Sequence, residues 1–355
     1  MKFLYTTLTA IVTGLFVAST ALAAPLPKDA GKMDVLKLAE WEVVASNHGG
    51  KLLLSDSPET VPADGIMYQD TIDGDGRLFF HHVNGTKEQK KIVVLLENVS
   101  AKPVKVTVYQ HGLSGPGLDY LAVGKAVQEQ YLSQPDVYFV EVPAKGSAHL
   151  IYQLNDLVVE PGMLVNGMYD FHTDGPVTVK TMMLPAKQDA VKFAGEAKIL
   201  PADEWRLRGT FAGYDRMLVP RTVYDPLKDG TVAITLADNE TDKYLTGIDA
   251  TDGSAVVNYG NYGVLYRLFL PSMNGGTISY WLNPRGGEYA GAMGLKHNHV
   301  PTQLSTPADR LFFGSKTVKD IQKLGSYASG PSMWFTFSPP GASNLPVKII
   351  LSPEK

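Results

Sequence analysis

Short apolar runs alternate with polar, glycine-rich punctuation along most of the chain, which predicts a strand-rich fold. Residues 91–96 read Lys-Ile-Val-Val-Leu-Leu, a continuous run suited to a strand buried on both faces. Residues 104–109 alternate, with Val104, Val106 and Val108 on one face. The turn-like residues 98–103 between them predict a hairpin with a longer loop. Further strands are expected at 78–82, 137–142, 147–154, 167–173 and 177–184, separated by punctuation such as Asp73-Gly74-Asp75-Gly76 and Glu160-Pro161-Gly162.

Helical spacing interrupts this pattern over residues 117–131, where Leu118, Leu121, Ala122, Ala126 and Val127 share a face. Two more helical stretches, 189–197 and 201–207, predict a connector; the second opens on Pro201 followed by acids. A second strand-rich block follows, with strands expected at 231–236, 263–270, 277–282, 333–337 and 347–351. The expected fold class is mainly β, with two β-sandwich domains (immunoglobulin-like or jelly-roll-like) joined by a short helical connector. The boundaries are 60–187, 188–213 and 214–355, after an amino-terminal lead-in over 24–59 that packs in part through Trp41, Val43 and residues 52–54. Both blocks pair an apolar hairpin with a glycine-rich loop (109–117 and 283–291), but too few residues match to define a repeat.

The opening 23 residues change the picture. Lys2, an apolar run over 3–17 and the small-x-small site Ala21-Leu22-Ala23 make a secretory signal peptide. The run is shorter than the ~20 residues a membrane span requires, and no later stretch is long and apolar enough. The expected location is secreted, periplasmic or at the cell surface. With 355 residues and 44% hydrophobic content the chain can bury a sizeable core, and 19% charged residues is too few for a disordered one. A net charge of −4 argues against a nucleic-acid partner. The absence of cysteine excludes disulfides, thiolate metal sites and a cysteine nucleophile, and in an exported chain suggests a bacterial product.

Candidate chemistry is sparse. The stretch 109–117 runs from an expected strand into an expected helix, the setting of a nucleophile elbow with Ser114 as nucleophile, His111 or His149 as base and Asp119 orienting it. The Gly-x-Ser-x-Gly pattern fails because Pro116 replaces the second glycine, and a turn with Ser114 or Asp119 capping the helix is the simpler expectation. His297 and His299 share a face if the segment is extended and could chelate a metal, but lack further ligands nearby; His81, His82 and His172 could join only through folding. Asp73-Gly74-Asp75 begins like a calcium loop and fails at Arg77, whereas Asp238, Glu240 and Asp242, with Asp249 and Asp252 following, form a denser oxygen cluster. No phosphate loop or dinucleotide fingerprint occurs, and no cofactor is expected. Tyr259, Tyr262 and Tyr289 offer flat faces for sugar rings, and Arg285 could contact a carboxylate; Tyr266 and Trp281 are expected to pack inward, and Gly260 and Gly263 to serve backbone geometry.

Residues 131–136 (Tyr-Leu-Ser-Gln-Pro-Asp), the Asp203-Glu204-Trp205 connector and the stretch 260–266 with its following Leu270-Pro271 resemble a family of exported bacterial proteins. The family is cyanobacterial, has Firmicute relatives and is known as a domain of unknown function. The resemblance runs from about Pro58 to the C-terminus and implies export and two β-rich halves, with no catalytic or ligand residues. These features favour a non-catalytic envelope or extracellular protein that binds polysaccharide, cell wall or a protein partner. The alternatives are a serine hydrolase using Ser114 or a metal-dependent module using His297 and His299.

Overall fold

Two long antiparallel strands, Gly65–Asn84 and Leu164–Pro185, form the spine of the protein in the computed structural model. The structure describes residues 33–354 except 134, 315, 316 and 318; the expected signal peptide and the start of the lead-in lie outside the described residues. The described chain is mainly β, with three sheets and two α-helices, and no helix in it is long and apolar enough to cross a membrane.

The long pair sits in an eleven-stranded sheet. On one side, Lys51–Ser55 and Thr60–Val61 run parallel to Gly65–Asn84, and Lys51–Ser55 leads outward through Arg208–Ala212 to Thr246–Ile248 and Ala255–Val257. On the other side, Lys90–Asn98 pairs with residues 178–185 and Val104–Gly117 with residues 164–173. The expected hairpin is therefore not formed. The two strands run end to end along one edge of Leu164–Pro185. Residues 99–103 make the step between them, and the Asn98 side chain braces it by donating to the carbonyls of Lys102, Val142 and Pro143.

The expected turn at 73–76 is also a continuous strand. Gly74, at φ +84°, lies opposite Thr173, where the pairing shifts register before Val177. Bulges and turns draw on the same glycine-rich vocabulary, because both need backbone that other residues avoid. Tyr68, Ile72, Val94 and Val179 from beyond this bend share one core with Leu78, Phe80, Val106 and Phe171 from before it.

Five- and six-stranded sheets make up most of the remainder. The first orders Ala39–Glu40, Val232–Leu236, Val347–Glu354, Thr277–Asn283 and Gln322–Ala328; the second orders Val300–Thr306, Gly291–His297, Met333–Phe337, Leu265–Phe269, Asp215–Pro220 and Val43–His48. Their inward rings meet: the Tyr280 and Phe335 centroids are 5.3 Å apart. Tyr266 and Trp281 are buried as expected. The lead-in supplies one strand to each of the three sheets, and Trp41 and residues 52–54 are buried with it. Leu53 faces the core of the long pair while Leu52 and Leu54 face the core of the other two sheets, which explains an unbroken leucine run.

Helix α1, Tyr120–Tyr131, forms at the expected place, capped by the Asp119 carboxylate, which accepts from Ala122 N. Helix α2, Ala190–Glu196, covers Ile66, Val93 and Leu95. Residues 201–207 contain a turn rather than the expected helix. Asp203 accepts from the backbone of Trp205 and Arg206 and from Ser57 and Glu59, so its carboxylate organises a turn against the neighbouring segment.

Candidate functional site

The strand Gly65–Asn84 ends in adjacent histidines that point to opposite faces of the sheet. His82 is buried and neutral: burial lowers its pKa to about 3, its Nδ1 donates to the Pro58 carbonyl (2.9 Å), and its Nε2 accepts from Ser55 Oγ (2.8 Å). Its role is packing. His81, also buried, meets Asp56 on the neighbouring strand end, with Nδ1 3.1 Å from Asp56 Oδ1. Burial raises the Asp56 pKa to about 6 against the pull of His81. Burial alone would lower His81, but the charge and hydrogen bond of Asp56, with Glu59 behind them, raise it on balance. Exposed Glu59 completes the group: one ligand atom from each of Asp56, Glu59 and His81 lies within 4.8 Å of the others. Among the described residues this is the set of carboxylates and imidazoles close enough to share a metal ion.

Tyr262 lies within the electrostatic reach of this group. Burial raises its pKa, and the charges of Asp56, Glu59 and Tyr244 add to that shift, so all four occupy one electrostatic neighbourhood. The Tyr262 ring centroid is 6.2 Å from that of Phe79, and its hydroxyl donates to the Ser343 carbonyl (2.8 Å). Its loop is rigidly built. The Asn258 side chain accepts from Tyr262 N and donates to Tyr262 O, while Asn261, at φ +53°, accepts from Leu245 N and donates to Tyr266 Oη. Gly260 and Gly263 have φ of +92° and +77°, the backbone role the sequence predicts for them. A Cβ at Gly263 would lie 2.8 Å from Leu52 Cδ1 and 2.9 Å from Phe79 Cβ. Gly263→Ala is therefore expected to lower the thermal midpoint by an amount equivalent to about 1–3 kcal/mol, which calorimetry can check.

Tyr244 leads on to Tyr259, 48% exposed, with ring centroids 5.9 Å apart and edges to faces. Tyr259 and Tyr244 thus form one ring pair, and the charges of Tyr244, Asp56 and Glu59 all act on Tyr262. The Asp203 turn, which also accepts from Glu59 N, carries Trp205, 66% exposed.

The other sequence candidates lie elsewhere. Tyr289 is fully buried between Phe313 and Phe337, so it is a core ring and offers no face to a ligand. Arg285 is half-buried in the loop 284–289, which hydrogen bonds to residues 344–346. Ser114 and His111 sit on one strand, paired with Asn166 and Tyr169, and their odd spacing puts them on opposite faces. His111 stacks on Tyr169 (5.1 Å), His149 meets Tyr152 edge to face, and Asp119 is the α1 cap; these residues do not assemble a triad.

His297 ends its strand with Nε2 3.1 Å from the Ala328 carbonyl oxygen. Asn298 and His299 both have positive φ and form the two-residue hairpin turn, so the segment is not extended and the two imidazoles do not share a strand face. His172 pairs with Asp75 (2.7 Å) at the surface. In the acidic loop, Asp238 accepts from the backbone of Glu240, Thr241 and Asp242, while Asp242 pairs with Arg216 (2.8 Å) and accepts from Tyr266 Oη. Asp249 and Asp252 pair with Arg208 and Arg206. These carboxylates hold their own loops together.

Asp56 and Glu59 escape a sequence reading because nothing local marks them. The one visible signal is a pair of acids three residues apart around Pro58, just after an apolar run.

No family model matches the chain, and no curated protein matches it. Among solved structures, a Paenibacillus xanthan lyase is 9% identical, with a TM-score of 0.21 over 88% of this chain and 25% of that one. The chain thus spans about a quarter of that structure's length. Bacillus subtilis oxalate decarboxylase is 8% identical, with a TM-score of 0.13 over 86% of this chain and 78% of that one. A 7S globulin from Momordica charantia is 8% identical, with a TM-score of 0.12 over 81% and 79%. Superpositions this loose carry no argument about fold or function.

Proposed function

We propose that this chain is an exported envelope or extracellular protein that binds an extended polysaccharide without cleaving it. In this reading Tyr259, Tyr244 and Tyr262 make one aromatic row ending at Asp56 and Glu59, and the observation that carries it is the edge-to-face contact of half-exposed Tyr259 with Tyr244. Aromatic faces stack on the apolar faces of sugar rings, and carboxylates accept from the hydroxyls around their rims. Trp205, exposed on the turn tied to Glu59, offers a further ring for the same ligand. The loop that presents Tyr262 is fixed by its own hydrogen bonds, so little ordering is needed on binding. In the same reading, the 60–187 and 214–355 blocks are two β-rich halves joined through 188–213, with strands Thr246–Ile248 and Ala255–Val257 of the second added to the sheet of the first, and the row brings rings of the second half to carboxylates of the lead-in.

Co-sedimentation of the purified protein with isolated cell-wall and polysaccharide fractions tests this. Saturable binding is expected to at least one fraction, weakened about tenfold by Tyr259→Ala, a loss of about 1.4 kcal/mol at the upper end of what one aromatic contact contributes. Binding to no fraction would overturn the proposal.

A further inference from the structure

We propose that Asp56, Glu59 and His81 bind a divalent metal ion, with at least one coordination position left for water or a ligand. The inference goes beyond the polysaccharide reading and does not need it. A nitrogen and an oxygen each about 2.0–2.1 Å from a tetrahedral ion lie about 3.3 Å apart. His81 Nδ1 and Asp56 Oδ1 are 3.1 Å apart, and Glu59 supplies a third atom within 4.8 Å of both.

The far side of the imidazole gives an independent reason. His81 Nε2 is buried and has no hydrogen-bond partner. Asn166, the residue directly opposite His81 on the paired strand, is buried with its Oδ1 likewise unpartnered. Its Nδ2 donates to the Phe80 carbonyl (2.6 Å), which fixes Oδ1 as the free acceptor. A metal on Nδ1 would place the proton on Nε2 and turn that nitrogen into a donor, for which the unpartnered Oδ1 of Asn166, opposite His81 in the register, is the candidate acceptor. Metal-bound histidines are commonly oriented by such an outer acceptor. Gly341 packs against both groups: a Cβ there would lie 2.8 Å from His81 Cδ2 and 2.7 Å from Asn166 Oδ1. One imidazole with two carboxylates suits Zn²⁺ or Mn²⁺ better than Ca²⁺ or Mg²⁺.

Chelator-stripped protein titrated with Zn²⁺ by calorimetry, with bound metal counted after desalting, tests the site. One equivalent is expected, with Ca²⁺ failing to compete. Glu59→Gln, at an exposed position that leaves the core intact, is expected to weaken Zn²⁺ at least tenfold, and His81→Ala to abolish that site. Asn166→Leu is expected to weaken it about 10- to 100-fold. No saturable Zn²⁺ binding, or binding unchanged in Glu59→Gln, would overturn the inference. Because the titration contains no polysaccharide, its failure leaves the polysaccharide result unaffected, and the reverse also holds.

Discussion

Replacing Arg77 with Met is expected to cost about 3–5 kcal/mol of stability, a large share of what holds a typical domain folded. Arg77 is 1% exposed and uses its whole guanidinium. Two nitrogens grip Asp170 (2.6 and 2.7 Å), Nη2 also reaches Asp215 (3.0 Å), and Nη1 donates to the carbonyls of Tyr214 and Gly263. The ring of Tyr214 lies 4.3 Å from the guanidinium carbon, and Tyr131 donates its hydroxyl to Asp170. One side chain thus ties the long strand pair and α1 to the start of two neighbouring strands of the six-stranded sheet, Asp215–Pro220 and Leu265–Phe269. Met fills similar volume but leaves Asp170 buried without its counter-charge. Arg77→Lys is expected to lose most of the same stability, because a point charge cannot serve acceptors spread around a planar fork. Urea unfolding measures both; a midpoint unchanged in Arg77→Met would refute this account of the junction.

Gly124→Ala sets two effects against each other. In an isolated helix the change would stabilise α1 by about 1 kcal/mol. In the folded chain a Cβ at Gly124 would fall well inside contact distance of the Gly341 carbonyl oxygen and 2.8 Å from its carbon. Both partners are main chain, so neither can swing aside, and relief requires α1 to lift from the 338–343 loop. Overpacking of this kind costs about 1–3 kcal/mol, and at this position it acts on backbone. Net destabilisation is expected. Gly341 also abuts His81 and Asn166, so Zn²⁺ affinity is expected to fall with it. A raised thermal midpoint would show that helix propensity outweighs the close approach.

Local chemistry made much of the fold legible. Residues 92–96 and 52–54 are unbroken apolar runs because both faces of their strands are covered, and Asp119 caps the helix that follows it. Pairing was less legible. Asp73-Gly74-Asp75-Gly76 reads as a turn because a bulge needs the same permissive residues, and residues 98–103 read as a hairpin loop because a step between collinear strands needs the same polar caps. The candidate site was legible only in part. Tyr259 and Tyr262 were picked out by their ring chemistry, whereas Tyr289, with the same chemistry, is in the core. Asp56 and His81 are 25 residues apart, and Tyr262 is more than 200 residues beyond Asp56. Only long-range register brings them together, and no periodicity within one segment encodes that.

The most direct test is the affinity for whichever polysaccharide fraction co-sediments, compared across Tyr259→Ala, Glu59→Gln and Tyr152→Ala. Tyr152 is 68% exposed and lies on the 3₁₀ turn Tyr152–Asn155, away from the aromatic row, so it controls for loss of any surface aromatic. The account predicts about tenfold weaker binding for Tyr259→Ala, a measurable loss for Glu59→Gln and no change for Tyr152→Ala. Equal losses at Tyr259 and Tyr152, or none at Tyr259, would contradict it.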